Sequence, residues 1–470
     1  MSANQTKRRI SRRQMLQIMA QGTAVTGLSM LTAACGGSPT APPSTPQGGT
    51  QAPAQATGMV TLSFFTPGAV GKEREMYLSF INDFQKENPN IKVNVSFEAW
   101  ADYMTKLPTI LAGGTVPDVI HQHMSIVQDY AARGALLDLT PLMKRDSVAP
   151  DDYIPALFDA FSNGGKTYAL PKDSAAWGMY YNKAMFDAAG IPYPKDNWTM
   201  DDFRNYAIEL TLDKNNNPAS SSKFDPNNIK QWGFAWLEPT PRESEAPRGF
   251  VKAFGGDWYN AAYTETLITD PKVQAYFQLM ADLRCKLHGV PTAAQATSQG
   301  DLFRTGLVAM AHNFHQMDFF ARQENVKFPY DVTFLPSGPG GQFVPVGASG
   351  WAIPAKAPNP DLSWKLVRFL TSKAAQTTIG QQGRWGVSQK DSIDTIIPKD
   401  PISGFKKVHC DPLQAGKSDR TVITFKFPAK QSQIKQAYID EFDAVWTCGS
   451  SDIAGAAARV KAKVDPLLKA

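Results

Sequence analysis

Val60-Thr61-Leu62-Ser63-Phe64-Phe65, closed by the turn Thr66-Pro67-Gly68, reads as a strand and opens a pattern that runs to residue 120. Behind it Met76, Phe80, Ile81 and Phe84 recur at the spacing of one helical face, until Asn88-Pro89-Asn90 stops the helix. Ile91-Lys92-Val93-Asn94-Val95-Ser96-Phe97-Glu98 then alternates apolar and polar side chains, the mark of a half-buried strand. Another helix precedes Gly113-Gly114, and Pro117-Asp118-Val119-Ile120 begins a third strand. Strand, helix, strand, helix, strand implies a parallel sheet with crossover helices. Ligands of such sheets lie beyond the carboxyl ends of the strands, which draws attention to Thr66, Glu98, Trp100, His121 and Gln122.

Upstream of this pattern the chain carries an address. Lys7, Arg8, Arg9, Arg12 and Arg13 form a basic head, followed by an uncharged stretch from Gln14 to Ala34, the layout of an export signal in residues 1–34. Gln14, Gln17, Gln21, Thr23, Thr26 and Ser29 make that stretch too polar for a permanent span, which needs about 20 predominantly apolar residues. Ser11-Arg12-Arg13-Gln14-Met15-Leu16 resembles the twin-arginine export motif, with Arg12 and Arg13 as its signature. Leu31-Thr32-Ala33-Ala34-Cys35 resembles a bacterial lipobox, although Thr32 stands where most lipoboxes have Leu. An acylated Cys35 would anchor the protein, since each buried methylene contributes about 0.8 kcal/mol. Residues 36–57, rich in Pro, Gly, Ala, Thr, Ser and Gln, complete with Cys35 a flexible linker over 35–57.

All five charges of the signal are positive, so its removal takes the formal net charge from +5 to zero. Nucleic-acid binding needs clustered Lys and Arg to displace counterions, and no such patch is left. The roughly 410 residues that remain should bury about three quarters of their unfolded surface and are too many for one core, so two domains are expected. Besides Cys35 only Cys285, Cys410 and Cys448 occur, which permits one disulfide at most and leaves an odd thiol. A second unit begins near Pro171. Within it Thr199 stands three residues before Asp202 in capping-box spacing, and the last helix shows Ile453, Ala456, Ala457, Val460, Val464 and Leu467 at helical intervals.

The order of local patterns resembles family 1 of the extracellular solute-binding proteins, the group that includes maltose- and oligosaccharide-binding proteins. Leu111-Ala112-Gly113-Gly114-Thr115-Val116-Pro117-Asp118-Val119 is similar to that family's entry to its third strand. Gly165-Lys166-Thr167-Tyr168-Ala169-Leu170-Pro171 followed by Tyr180-Tyr181-Asn182-Lys183-Ala184-Met185-Phe186 matches its most specific signature. Trp198-Thr199, Phe254-Gly255-Gly256-Asp257-Trp258, Gly306-Leu307-Val308-Ala309-Met310 and Leu335-Pro336-Ser337-Gly338-Pro339 follow in the family's order. The resemblance implies an α/β, two-lobed periplasmic-binding-protein-like fold of type II. Mostly parallel sheets flanked by helices would be joined by hinge strands, with lobe 1 over 58–172 and 344–393 and lobe 2 over 173–343 and 394–470. It further implies a monomer without cofactor that closes on a small-molecule ligand, a carbohydrate, and hands it to the membrane permease subunits of an ATP-binding-cassette importer, on the outer face of the cytoplasmic membrane.

Sugars present apolar C–H faces ringed by hydroxyls, so their sites combine flat aromatic rings with planar hydrogen-bonding groups. Among ten Trp, Trp236, Trp258 and Trp351 follow glycines where the family's cleft loops fall and are the expected stacking platforms, with Trp100 at a strand end. Glu98, Gln122, Asp173, Glu238 and Asn313 are expected to bond hydroxyls, with Thr66 beside them. Asn313 corresponds to a cleft-side Asn of maltose-type relatives, but Phe314-His315-Gln316 replace the aromatic residues that follow it there, which speaks against maltodextrin.

Three other chemistries compete. His121-Gln122-His123 and His312-Asn313-Phe314-His315 invite a metal, but no Cys or carboxylate cluster completes the ligand spacing, and no metal site is expected. Gly164-Gly165-Lys166-Thr167 resembles the end of a phosphate-binding loop, yet Ala160 stands where the earlier Gly is required. A secreted glycosidase would need two carboxyl groups about 5 to 9.5 Å apart across one bond. A catalytic role is not expected, because the chain has no nucleophile-elbow motif and fits a family of binding proteins. A non-sugar solute such as a polyol or a glycerol-phosphate compound stands as the other alternative.

Overall fold

A computed structural model of the chain describes residues 58–68, 71–236, 244–298 and 301–469. Residues 1–57, with the expected export signal, Cys35 and the expected linker, and Glu238 lie outside the described residues. The strands in chain order are β1 (Val60–Pro67), β2 (Ile91–Glu98), β3 (Val119–His123), β4 (Ser162–Asn163), β5 (Lys166–Thr167), β6 (Leu170–Pro171), β7 (Ala175–Asn182), β8 (Leu212–Asp213), β9 (Ile229–Trp236), β10 (Val308–Phe314), β11 (Tyr330–Thr333), β12 (Phe343–Gly347), β13 (Ser349–Ala352) and β14 (Thr421–Ile423). The first sheet runs β2-β1-β3-β13-β6; the second runs β14-β12-β7-β10-β9-β8, with β11 also on β7.

The opening pattern folds as its residues dictate. β1 pairs β2 in parallel from Val60 opposite Ile91 to Pro67 opposite Glu98. On β2, Ile91 and Val93 are buried while Lys92 and Asn94 face water. The helix Gly71–Glu87 buries Met76, Tyr77, Phe80, Ile81 and Phe84. Asn88 ends it by donating its side-chain amide to the Phe84 carbonyl at 2.7 Å. Asp118 buckles β3 to β1, because one carboxylate oxygen accepts from the Ser63 N–H at 2.8 Å and the Ser63 hydroxyl at 2.9 Å, and the other from Asn359 at 3.1 Å. Gly164 and Gly165 are the two left-handed residues of the β4–β5 hairpin, the turn chemistry a two-residue connection requires.

The sheets are mixed rather than mostly parallel. β1–β2, β1–β3, β9–β10 and β12–β14 are parallel, but β13 joins β3 and β6 antiparallel, and β7 joins β10, β11 and β12 antiparallel. The cause is the waist: β6 and β13 in the first sheet, and β7 and β12 in the second, belong to segments that pass from one lobe to the other. The chain leaves the first sheet after Pro171 and joins the second at Ala175; it returns between Gly347 and Ser349, so the return falls at Ala348 instead of residue 344.

Both passages are tied at one buried ion pair. Lys172 Nζ lies 2.5 Å from Asp173 Oδ2, while Asp173 Oδ1 accepts from the Ser349 N–H at 2.6 Å. Burial opposes the charge on Lys172. The Asp173 carboxylate outweighs it, with Tyr77 and Glu73 adding to the pull, and the ammonium is held well above the ordinary lysine range. The rings of Trp351, Trp385 and Tyr77 surround the ammonium at 5.2, 5.5 and 5.9 Å. Glu73, also buried, pairs with Arg384 at 2.6 Å and accepts from Trp385 Nε1 at 2.8 Å.

The C-terminal helices Gln431–Trp446 and Ile453–Lys469 pack on each other and on the helix Pro271–Cys285. A disulfide from Cys285 to Cys448 spans 163 residues, and among the described residues Cys410 is a free, buried thiol. Closing a loop of that length removes denatured-state entropy equivalent to about 5 kcal/mol on a chain-entropy account.

Removing one member of the waist pair leaves the other charge buried and alone. Lys172→Met should therefore lower unfolding stability by about 3–5 kcal/mol in denaturant titrations, with Lys172→Met/Asp173→Asn recovering part of it; a loss below about 1 kcal/mol would show that the pair does not hold the waist.

Candidate functional site

In the first lobe the carboxyl ends of β1, β2 and β3 place Thr66, Glu98 and Gln122 at one edge. Thr66 is buried and spends its hydroxyl on the Pro67 carbonyl at 3.0 Å. Glu98 is paired with Lys106 at 2.5 Å. Gln122 is fully buried, and neither its amide oxygen nor its nitrogen meets a partner among the described residues. Trp100, the first residue of the helix Trp100–Ala112, is 47% exposed, with its ring edge-on to His121 at 5.7 Å and His123 at 5.4 Å. Those two histidines, two apart on β3, share a face. Burial, helped by the nearby Lys172 charge, holds His121 neutral.

In the second lobe the parallel strands β9 and β10 end at Trp236 and at His312-Asn313-Phe314, and antiparallel β7 sets Trp177 opposite Phe314. Trp177 packs on His312 at 4.9 Å and Phe314 at 5.2 Å; Trp236 meets His312 at 5.2 Å. Phe314 in turn stacks on Trp385 of the first lobe at 5.9 Å, with the planes 17° apart. A continuous aromatic path thus runs from the second sheet's strand ends to the waist.

Several expected contacts are placed otherwise. Trp258 is fully buried, donates Nε1 to the Ser244 carbonyl at 3.1 Å, and packs among Tyr276, Phe277 and Tyr438. Trp351 is likewise sealed between Phe64 at 4.9 Å and Tyr77 at 5.6 Å. The neighbouring glycines, read as loop signals, serve close packing instead: a Cβ on Gly256 would meet Val273 at 2.8 Å, and one on Gly350 the Leu170 carbonyl at 2.7 Å. Asp173 has both oxygens engaged at the waist. Asn313 accepts the Phe314 N–H on its own Oδ1 at 2.8 Å.

Sequence reasoning does not single out Trp177, His312, Phe314 or Trp385 as ligand contacts. Trp177 sits in an unbroken apolar run that reads as core, whereas Trp385 stands in Gly383-Arg384-Trp385-Gly386, a glycine-bracketed loop that is the available signal. Burial drives His312 down to about 3. It brings His315 down to about 4, against an opposing pull from Asp173, and His409 to about 3, with His315 adding. His409 is fixed as a neutral ring: Nδ1 donates to the Ala176 carbonyl at 2.9 Å and Nε2 accepts from Tyr180 at 2.9 Å.

Two α/β lobes joined by crossing strands, with aromatic rings at the strand ends that approach the waist, define a lobed solute-binding protein. A model of the family described as bacterial extracellular solute-binding protein matches residues 71–377. The chain belongs to this family. The substrate-binding protein Lmo0181 of Listeria monocytogenes, solved in complex with cycloalternan, has a TM-score of 0.75 at 23% identity, covering 87% of this chain and 99% of that one. A solute-binding protein of Thermotoga lettingae bound with alpha-D-tagatose has a TM-score of 0.72 at 21% identity, covering 87% and 100%. The erythritol/L-threitol-binding protein of Mycolicibacterium smegmatis is 30% identical over 230 residues, 43% of this chain and 45% of that protein. Among the described residues no helix is long and apolar enough to cross a membrane.

The neutral histidines set an acid limit. Their folded pKa values lie below the unfolded value of about 6.5, so the unfolded state takes up more protons as pH falls. Stability should be flat above pH ~7 and decline from pH ~6.5 towards 4, by up to about 1.4 kcal/mol per pH unit for each such histidine. Thermal melts across this range check it; a midpoint unchanged from pH 7 to 4.5 would contradict buried neutral rings.

Proposed function

We propose that this protein is the exported, lipid-anchored binding component of an ATP-driven importer, which captures a sugar or oligosaccharide between its lobes and delivers it to the membrane permease. Family membership supports the transport role, and the aromatic path from Trp236 through His312, Trp177 and Phe314 to Trp385 carries the ligand reading. Rings of this kind offer stacking faces to C–H surfaces. The buried, unengaged amide of Gln122 and the half-exposed ring of Trp100 supply polar and apolar contacts from the first lobe. A ligand that touches both lobes favours the closed arrangement by its differential affinity, and closure presents a different surface to the permease. A polyol is the second reading, favoured by the relative named for erythritol and L-threitol. The protein works as a monomer with no catalytic step of its own. Residues 1–34, with Arg12 and Arg13, export it, and acylated Cys35 holds it at the membrane through the linker.

A thermal-shift screen of the mature chain against mono-, di- and oligosaccharides and polyols tests the reading. A true ligand at 100 times its Kd should stabilise the fold by about 2.7 kcal/mol, and Trp236→Ala or Gln122→Ala should weaken that ligand's binding while the protein stays folded. Release of reducing ends from glycans would instead make it an enzyme. Cys35→Ser should move the protein from the membrane fraction to the soluble exported fraction; retention in the membrane would end the lipid-anchor reading.

A further inference from the structure

We infer that the second lobe carries a subsite for an uncharged, oxygen-rich group, read by the indole N–H groups of Trp177 and Trp236 and by the imidazole of His312. The inference rests on the binding-protein reading above and narrows its ligand class. His312 and Trp236 are cross-strand partners at the carboxyl ends of β10 and β9, and Trp177 lies opposite Phe314, diagonal to His312. The Trp177 and Trp236 ring centroids stand 4.9 and 5.2 Å from that of His312. Within this cluster Trp177 Nε1, Trp236 Nε1, His312 Nδ1 and His312 Nε2 are all buried and meet no hydrogen-bond partner among the described residues. Ser244 Oγ is in the same condition, at the start of the helix Glu245–Ala253, whose Ala246 packs with Trp177 and Phe314.

Leaving a buried donor or acceptor without a partner is costly, so a concentration of such groups at strand ends marks groups kept for a ligand. Their chemistry selects it. Two indoles only donate, while an imidazole kept neutral donates at one nitrogen and accepts at the other. Together they match hydroxyl and ring oxygens. A carboxylate would want a cation, but His312 is pressed by burial away from protonation. Arg248, one turn into the adjoining helix, is committed to Asp257 at 2.8 and 3.0 Å and to the Thr424 carbonyl. The site therefore takes a neutral saccharide or polyol and rejects its uronic-acid counterpart.

Titration calorimetry on the mature chain, with raffinose, maltotriose, erythritol, D-tagatose and galacturonic acid as probes, tests this. At least one neutral probe should bind and galacturonic acid should not. His312→Phe and Trp177→Phe, which keep an aromatic ring and delete the polar atoms, should each weaken the neutral probe about five- to tenfold. The ligand-free melting midpoint of His312→Phe should hold or rise, because a buried unpartnered polar group has been removed; a merely structural histidine would lower it. Should His312→Phe fail to fold, Trp177→Phe and the galacturonic acid comparison decide. Unchanged affinity in the variants, or galacturonic acid bound as tightly as the neutral probe, overturns the subsite and leaves the transport reading standing. Failure of every saccharide and polyol to bind removes both.

Discussion

The structure depends on a charge that ought not to be buried. Lys172 sits at the waist, where an ammonium held away from water carries a desolvation cost. That cost is offset by Asp173 beside it and by a wall of rings from Tyr77, Trp351 and Trp385. Because Asp173 also accepts from the backbone of Ser349, one carboxylate fixes the outgoing passage to the returning one. Short, mutually bonded passages leave few places where the lobes can change their relation, so movement between them is concentrated in a handful of backbone torsions. Trp385, bonded to Glu73 in the first lobe and stacked on Phe314 in the second, stands at the point where such movement would be felt.

Much of the fold is legible in the chain itself. The helix over Met76, Phe80, Ile81 and Phe84 and the alternation of β2 are periodicities set by local geometry, and Thr199 with Asp202 forms both bonds of its capping box. The family order implies two lobes, and the strands do form two separate sheets. What the chain hides has a common cause. The direction of β7, β12 and β13 depends on which sheet the chain enters next, and that is decided by contacts between segments far apart in sequence. The partner of Cys285 is open for the same reason, since three thiols allow three pairings.

The candidate site is less legible than the fold, and the tryptophans show why. A glycine next to a tryptophan looks like a loop that presents a ring, yet Gly256 and Gly350 are small because backbone or a neighbouring side chain comes close, and Trp258 and Trp351 are packed away as a result. Trp177 gives the opposite impression: between Ala176 and Gly178 on a buried strand, it looks like core, but it is the third residue of the strand that leaves the waist, facing His312 and Phe314. Hydrophobicity ranks these residues alike. What separates them is their surroundings: Trp258 and Trp351 are enclosed by core side chains, whereas Trp177 sits beside His312, whose ring nitrogens meet no partner among the described residues.

The bridge between Cys285 and Cys448 has a mechanical meaning. Without it, the closing pair of helices would be a tail secured by packing alone, able to slip whenever the lobe to which it belongs is pushed. Stitched to the helix Pro271–Cys285, that tail is held to its lobe covalently as well as by packing, so the three helices can shift only together.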